Sequence, residues 1–286
     1  MSRSSSALDI GLKVLLSLLA LIFIYAPVAW LLISSLSTRA DLLATPLRWI
    51  PPHLNVQNYL DIIVPGTATG EVAATFKVTL WNSIVVAAST TLICLLVGAL
   101  AAYSLARLDL PFRRLFILGI LGTRMVPEIS LVIPLYIIAA RAGLINTRIF
   151  LIVTYLSFAL PFAIWMLAAF FETVPEDLED AALIDGATRL GTLFRVVLPV
   201  AAPGLVSTAI FTFLLAWDEF FFALIFTSTL QAKTVPVAIA EFTGRYAVDI
   251  TAMMTGGVLA ALPPVFLALV FQRYIVSGLT AGAVKG

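Results

Sequence analysis

Six long apolar stretches constrain the fold of this chain more than any other feature of its sequence. They cover residues of about 14–36, 79–104, 114–140, 149–171, 204–227 and 252–274. Each is long enough to cross a hydrocarbon core of roughly 30 Å as an α-helix. Charged residues make up only 12% of the chain, too few to cover a soluble protein of this size. We therefore predict one all-α membrane domain over residues 1–286, a polytopic bundle of six transmembrane helices with both termini on one side.

The first apolar stretch resembles a secretory signal only superficially. Arg3 and Lys13 precede an apolar run from Val14 to Ile33. That run is longer than the roughly 7–15 apolar residues of a signal peptide, and no small-residue cleavage pattern follows it. We predict that it is an uncleaved first span.

Motifs of soluble enzymes and of nucleotide-binding proteins are absent from the sequence. There is no Gly-x-x-x-x-Gly-Lys-(Ser/Thr) loop, no His-Glu-x-x-His and no Gly-x-Ser-x-Gly. The single Cys94 excludes an internal disulfide, and the single His53 excludes a histidine-rich metal site. A net charge of +1 without a basic cluster gives no indication of nucleic-acid binding. We predict no catalytic residue, no metal site and no cofactor in this chain, so any uphill transport needs energy from a partner.

The acidic segment 172–203 contains two predicted short helices. Pro175, followed by Glu176 and Asp177, is typical of a helix start, and Gly186 lies where a helix of about three turns would end. A second helix should end at Pro199. One face of the first helix carries Leu178, Ala181, Ala182 and Asp185. From these residues alone, the segment is either a solvated acidic loop or a surface that another protein contacts.

The motif Asp180-Ala181-Ala182-x-x-Asp185-Gly186-Ala187, followed by Leu198-Pro199 and Pro203, resembles the EAA loop of permease subunits from bacterial ABC importers. In that family the loop forms coupling helices that sit in a cleft of the ATP-hydrolysing subunit. Asp180 stands where the family usually has Glu, so the charge is kept with one methylene less reach. The resemblance implies that the ATPase contacts Leu178, Asp180, Ala181, Ala182, Asp185, Gly186 and Ala187.

The third span carries two charged residues at a depth where charge is costly. Arg124 and Glu128 are four positions apart, with Pro127 between them. Each charge costs roughly 2.5–3.5 kcal/mol at the centre of an inserted helix, so neither should face lipid. They could neutralise one another within one helix, or they could line a substrate path. The Arg-Met-x-Pro order resembles permeases for polyols and related sugars, where a second Pro usually stands in place of Glu128.

The fifth span ends in two adjacent acids among aromatic residues. Carboxylates accept hydrogen bonds from hydroxyl groups, and aromatic faces stack on the apolar face of a sugar ring. The same residues would also be at home near the outer membrane interface. The order Trp-Asp-Glu-Phe resembles the family's Trp-Asn-Glu-Phe, with Asp in place of Asn. We name Trp217, Asp218, Glu219 and Phe222 as substrate-path candidates beside Arg124 and Glu128.

Four further segments resemble the same family outside the spans. The segment from Trp49 to Tyr59 resembles a Pro…Asn-Tyr segment that follows the first span of sugar permeases, and the basic turn from Ala106 to Arg114 also matches. In maltose-type permeases, a loop equivalent to 228–251 reaches toward the binding protein, but here it is shorter. The C-terminal segment from Gly278 to Gly286 resembles a tail that contacts the ATPase.

The resemblance implies the smaller permease subunit of a binding-protein-dependent ABC importer for a sugar or polyol. The implied partners are two copies of an ATP-binding subunit that carries ATP and magnesium, a second homologous permease and an extracytoplasmic sugar-binding protein. The implied location is the lipid bilayer of a bacterial cytoplasmic (inner) membrane. Basic residues are split almost evenly between the two sides, so the resemblance alone places the acidic segment and both termini in the cytoplasm.

One alternative from another functional class remains open at the level of sequence. Four ionisable residues at membrane depth could form the relay of an ion- or proton-coupled secondary carrier: Arg124, Glu128, Asp218 and Glu219. The sequence leaves the solute open among maltose or trehalose, a polyol and glycerol phosphate. The two adjacent acids argue against the anionic ester.

Overall fold

The computed structural model describes residues 7–64, 70–242 and 249–281, and these residues contain helices and no strand. The predicted all-α fold is confirmed. The N-terminal part contains α1 (Ala7–Ser35), α2 (Arg39–Leu42), α3 (Gln57–Ile63) and α4 (Gly70–Arg107). The middle part contains α5 (Arg113–Gly122), a 3₁₀ turn (Thr123–Met125), α6 (Glu128–Arg141) and α7 (Arg148–Phe171).

The C-terminal part begins with α8 (Glu176–Ile184) and a helical rod made of α9 (Arg189–Thr192), a π-helical turn (Leu193–Val197) and α10 (Leu198–Val200). It continues with α11 (Ala202–Trp217), α12 (Phe221–Phe226), α13 (Val235–Glu241) and α14 (Ile250–Ala281). The helix predicted to end at Gly186 does so. The rod, however, continues through Pro199, because proline is tolerated in the first turn of α10.

Four helices of the described residues are long and apolar enough to cross a membrane, and two bent pairs could each supply one more span. The four are Ile10–Ser35, Thr75–Arg107, Arg148–Phe171 and Ile250–Tyr274. The bent pairs are Arg113–Met125 with Glu128–Arg141, at 86°, and Arg189–Val200 with Ala202–Trp217, at 82°. The predicted first, second, fourth and sixth spans therefore correspond to single helices.

The predicted third span, 114–140, is broken rather than continuous. Val126 and Pro127 both have extended backbones, with ψ of 122° and 127°. Proline lacks an N–H and disfavours a helical conformation in the residue before it, so the helix ends at this point. Glu128 is then the first residue of α6 instead of a mid-helix residue.

The predicted fifth span, 204–227, is also interrupted. Helix α11 ends at Trp217, and α12 begins at Phe221. The Glu219 carboxylate accepts hydrogen bonds from the backbone N–H groups of Phe222 and Ala223, at 2.7 and 3.1 Å. The first N–H groups of a helix have no partner within that helix, so Glu219 stabilises the start of α12 rather than a continuation of α11.

The chain folds as two compact units, one drawing on residues up to Phe76 and on Ile239–Ala261, the other on Lys77–Ala238 and residues from Leu262 onward. In the first unit, the segment after α1 folds back onto the end of that helix. The Asn58 amide donates to the backbone oxygens of Ser35 and Ser37, both at 2.9 Å. It thereby satisfies carbonyl groups that the helix end leaves free.

The short helix α2 of the first unit is closed by a capping box. The Thr38 hydroxyl accepts from the backbone N–H of Asp41 and donates to its carboxylate, while Arg48 donates to the same carboxylate at 3.2 Å. The bond from the Thr38 hydroxyl, with help from Arg48, holds the pKa of Asp41 below its ordinary value. The stabilisation by this carboxylate is therefore present above about pH 3.9 and is lost as pH falls through the lowered pKa.

The second unit is built around α7. Two clusters of buried side chains flank this helix, one toward each end: the first includes Phe150, Leu151 and Tyr155, and the second includes Leu167 and Phe171. Helix α11 runs against α7 so closely that a methyl group added at Gly204 would lie 2.3 Å from Cγ of Phe170. Glycine at this position allows the two helices to approach one another.

Candidate functional site

An open cavity of about 620 Å³ lies where both helix breaks meet the middle of α7. Thr123–Pro127 forms one break, and Asp218–Phe220 forms the other. Binding sites of membrane transporters commonly form at discontinuous helices, because the freed backbone groups can face a polar pathway there. The lining residues are Arg124, Glu128, Phe158, Phe162, Phe211, Leu214, Leu215, Asp218, Glu219, Phe220 and Phe221. The structure thus brings together four of the six substrate-path candidates.

Arg124 and Glu128 do not form the intrahelical ion pair that their spacing allowed. No salt bridge joins them among those of the described residues, because the helix breaks between them. The Arg124 guanidinium instead lies over the ring of Phe162, 5.6 Å from its centroid, in a cation–π arrangement. Both charged side chains are exposed to the cavity.

The two adjacent acids have different surroundings. Glu219 is half-buried and uses both carboxylate oxygens to cap α12. Asp218 is exposed and lines the cavity, and no hydrogen bond from another described residue holds its side chain. Asp218 is therefore the carboxylate that is better placed to meet a solute, and Glu219 shapes the wall beside it.

Trp217 and Phe222, the other two candidates, do not line this cavity. Trp217 is buried and stacks on Phe213 with ring centroids 5.5 Å apart. Phe222 is also buried and stacks on Phe226 and Phe158. It lines a second opening of about 540 Å³ that shares Arg124 and Glu128 with the first.

The predicted coupling segment forms α8 and the rod that follows it. The helix ends at Gly186, where φ is +87°. The N–H of Gly186 bonds to the carbonyl of Leu183, and that of Ala187 bonds to the carbonyl of Ala182, at 3.0 and 2.9 Å. This is a Schellman motif, which requires a left-handed residue and so favours glycine.

The outer face of this segment is apolar as well as acidic. Leu178, Asp180, Ala181, Asp185 and Gly186 are exposed, whereas Ala182 and Ala187 are half-buried. In the rod, Leu193 and Val197 are buried in the core. The large apolar side chains left exposed in α8 and the rod are Leu178, Ile184, Leu190, Phe194 and Val200.

A buried ionic cluster that sequence reasoning missed holds α8 in place. Arg107 Nε donates to Glu179 Oε1 at 2.5 Å, and the Tyr103 hydroxyl donates to Glu179 Oε2 at 2.9 Å. Arg107 Nη2 also donates to the backbone oxygens of Phe171 and Val174, at 2.8 and 2.6 Å. The available signal was an Arg at the end of a span and a Glu on the helix face opposite Ala181.

At the opposite end of α7, Asn146 organises the loop after α12. Its side-chain oxygen accepts from the backbone N–H groups of Ser228 and Thr229, both at 3.0 Å. The Asn82 amide donates to the backbone oxygens of Leu230 and Lys233, at 2.9 and 2.8 Å. The first part of the predicted outer loop 228–251 is therefore tied to the helices.

The remaining predictions for 228–251 and for the C-terminal tail depend partly on residues 243–248 and 282–286, which lie outside the described residues. Within the described ranges, no group of three His, Cys, Asp or Glu side chains is arranged to hold a metal ion.

Charged groups on candidate membrane spans, arranged around a cavity at two helix breaks, are typical of membrane transport proteins for polar solutes. The chain belongs to the family described as "Binding-protein-dependent transport system inner membrane component", whose model matches residues 94–281.

Curated relatives with similar sequences are permease proteins of transport systems. The trehalose permease SugB of Mycobacterium tuberculosis is 43% identical, over 91% of this chain and 92% of its own length. The trehalose/maltose permease MalG of Thermococcus litoralis is 38% identical over 94% of each chain. The sulfoquinovosyl glycerol permease SmoH of Agrobacterium fabrum is 38% identical over 91% and 88%.

Solved structures have the same fold at low sequence identity. A chain of a bacterial ABC transporter for alginate import superposes with a TM-score of 0.74, covering 96% of this chain and 98% of its own, at 22% identity. A chain of the MetNI methionine ABC transporter gives 0.59 at 19% identity, covering 73% and 98%. By its family and its curated relatives, the chain is a multi-pass inner-membrane permease of an ABC importer, a transport subunit and not an enzyme. The ion-coupled carrier has no support from these relatives.

Proposed function

We propose that this permease carries a neutral sugar or polyol through the cavity where the two helix breaks meet. The observation that carries this proposal is that exposed charged groups and phenylalanine rings line the same cavity. Carboxylates accept hydrogen bonds from hydroxyl groups, and aromatic faces pack on the apolar face of a sugar ring. The trehalose and maltose systems named for two relatives support the same class of solute.

The charge of the cavity favours a neutral solute over an anionic one. Its lining includes one cation, Arg124, and three acids, Glu128, Asp218 and Glu219. An anionic ester would meet an excess of negative charge, which costs more in a site of low dielectric than in water. A polyol or a neutral disaccharide meets no such penalty.

The exposure of the cavity supports a second permease subunit as its other wall. Arg124, Glu128 and Asp218 are exposed in this chain although they lie on membrane-spanning elements. Facing lipid, such groups would be costly. A homologous subunit that covers the cavity would leave them facing a shared polar pathway between the two subunits.

The coupling segment supports contact with an ATP-binding subunit. The segment exposes apolar side chains that a partner could bury, among them Phe194 and Ile184, of which Ile184 is 86% exposed. The exposed acids Asp180 and Asp185 beside them offer partners for basic groups. We propose one such subunit under this permease and a second copy under the partner permease. ATP and magnesium would be held in those subunits.

This arrangement sets the orientation that we propose for the chain. An ATP-binding subunit works in the cytoplasm, so α8, the rod and both termini would lie on the cytoplasmic side. The loop organised by Asn146 would face the extracytoplasmic binding protein. Closure of the ATP-binding subunits would then move α8, and the spans would rock as rigid bodies to open the cavity.

The test is uptake and ATP hydrolysis by the assembled importer in vesicles. Loss of one hydrogen bond to a charged group costs roughly 1.5–3 kcal/mol, so Asp218→Asn should lower uptake by about tenfold or more. Asp109, an exposed acid outside the cavity, provides the control Asp109→Asn, which should leave uptake unchanged. Uptake by this chain alone, sensitive to an uncoupler and indifferent to ATP, would contradict the proposal.

A further inference from the structure

The Arg107 side chain connects three separate elements at the base of the second unit. It extends from the last residue of α4 and donates to the Glu179 carboxylate of α8. It also donates to the carbonyls of Phe171 and Val174, at the end of α7 and just beyond it. Free carbonyls at a helix end carry partial negative charge, so a guanidinium is favoured there.

This cluster is buried, and its hydrogen bonds engage Nε and Nη2 of Arg107 and both carboxylate oxygens of Glu179. The side chains of Arg107 and Glu179 are only 7% and 4% exposed. Tyr103, one turn before Arg107 on α4, holds the second oxygen of the same carboxylate. Removal of one member of a buried ion pair leaves an uncompensated charge, which costs far more than breaking a surface pair. The geometry therefore resists any movement of α8 relative to α4.

We propose that Arg107 is a positioning residue that makes α8 move as one body with the ends of α4 and α7. A displacement of α8 by a partner then moves α4 and α7 together with it. Without Arg107, α8 could move relative to α4 and α7, and the displacement would not reach these two helices. This inference rests on the proposed coupling role of α8 and adds the residue that transmits the movement.

A neighbouring ion pair provides a matched control. Arg113, at the start of α5, pairs with Glu172, immediately after α7. Its side chains are 37% and 34% exposed, and exposed pairs contribute little to stability. The control pair thus has the same chemistry close to the same helix end but does not hold α8.

The experiment compares Arg107→Lys with Arg113→Lys in the fully assembled importer. Lysine keeps the charge but cannot hold the carboxylate and two carbonyls in one planar fork. We expect Arg107→Lys to retain ATP hydrolysis and to carry roughly fivefold less solute per ATP, at the low end of typical coupling effects. Arg113→Lys should match the unsubstituted importer. Tyr103→Phe is a milder variant that keeps the buried ion pair, and it should give a smaller loss in the same direction.

A distance measurement gives a second readout that a purely structural role would not change. Spin labels at Asp177→Cys, an exposed position of α8 outside the implied contact residues, and at Leu100→Cys on α4, in a Cys94→Ala background, should keep the same separation when ATP is added. In Arg107→Lys, the distribution of distances between the two labels should broaden or shift when ATP is added. Unchanged distances and unchanged solute per ATP in both Arg107→Lys and Tyr103→Phe would overturn the inference. Absence of ATP-driven uptake in the unsubstituted importer would instead overturn the proposed function.

Discussion

At the scale of single residues, two glycines are required for different physical reasons. Gly186 adopts φ of +87° with open space around it, so its requirement is conformational. Gly204 has an ordinary helical backbone but lies against Phe170, so its requirement is steric. Substitution should therefore disturb coupling at the first position and stability at the second.

Gly186→Ala should weaken coupling while leaving the bundle intact. A left-handed alanine costs roughly 1–2 kcal/mol, which favours loss of the Schellman motif that closes α8. Gly143 is a matched control, because it has φ of +66° and also has open space around it, but it lies near the other end of α7. Solute carried per ATP should fall in Gly186→Ala and stay unchanged in Gly143→Ala. Equal behaviour of the two variants would contradict a role specific to α8.

Gly204→Ala should destabilise the protein. The added methyl group would lie 2.3 Å from Cγ of Phe170, and relief of such overpacking typically costs about 1–3 kcal/mol. The control is Gly98→Ala, whose methyl group would lie 3.5 Å from Leu167. Thermal unfolding in detergent should show a lower midpoint for Gly204→Ala only. Restoration of the midpoint by Phe170→Ala would identify the contact, and an unaltered midpoint in Gly204→Ala would exclude it.

At the scale of elements, hydropathy predicted the helices but not their breaks. Length and apolar content identified four continuous spans, because lipid imposes these two properties on any spanning helix. The break at Val126–Pro127 depends on the backbone of proline, and the break at Asp218–Phe220 depends on the cap that Glu219 provides for α12. Both lie inside apolar stretches, so a hydropathy pattern does not indicate them. Pro127 is visible in the sequence, but the predicted third span, 114–140, runs through it without a break.

The ion pair between Arg107 and Glu179 could not be predicted from the sequence either, and the reason differs from that for the helix breaks. Its members are 72 positions apart, so no helical spacing relates them. The resemblance implies that the acidic face of α8 contacts a partner, yet Glu179 of this helix is buried. Only the packing of α8 against the end of α4 distinguishes this acid from Asp180 beside it.

The break between α11 and α12 gives its two acids separable roles. Two backbone N–H groups each bond to one oxygen of the Glu219 carboxylate, and Glu219→Gln leaves only one acceptor oxygen for both. We expect this change to lower the free energy of unfolding by about 1 kcal/mol, and with it the thermal midpoint. Asp218→Asn should leave the midpoint unchanged and reduce uptake. Purified variants compared by thermal unfolding and by vesicle uptake would show this split. Reversal of the two phenotypes would mean that Glu219, and not Asp218, contacts the solute.

At the scale of the whole molecule, the spans present apolar surface, and the coupling segment presents exposed acids beside exposed apolar side chains. The span Ile10–Ser35 has no buried residue within its most apolar window, which is typical of a helix covered by lipid or by another subunit. Polar contact surfaces lie at both ends of α7. One end has α8 and the rod, and the other has the loop held by Asn146.

The proposed orientation can be tested by the accessibility of cysteines introduced at the two ends. Ile184→Cys on α8 and Leu230→Cys in the opposite loop are both exposed positions, and Cys94→Ala removes the natural thiol. In right-side-out vesicles that contain the permease, a membrane-impermeant maleimide should label Leu230→Cys, and Ile184→Cys only after the membrane is opened. The opposite pattern would place α8 outside the cell.

The central claim is that an ATP-binding subunit binds this chain at α8, and cross-linking tests this contact most directly. Ile184→Cys should form a cross-link to the ATP-binding subunit in the assembled importer and should become shielded from a bulky water-soluble maleimide. Leu230→Cys, carried as the control, should do neither. An Ile184→Cys side chain that stays freely labelled in a fully assembled, actively transporting complex would contradict the claim.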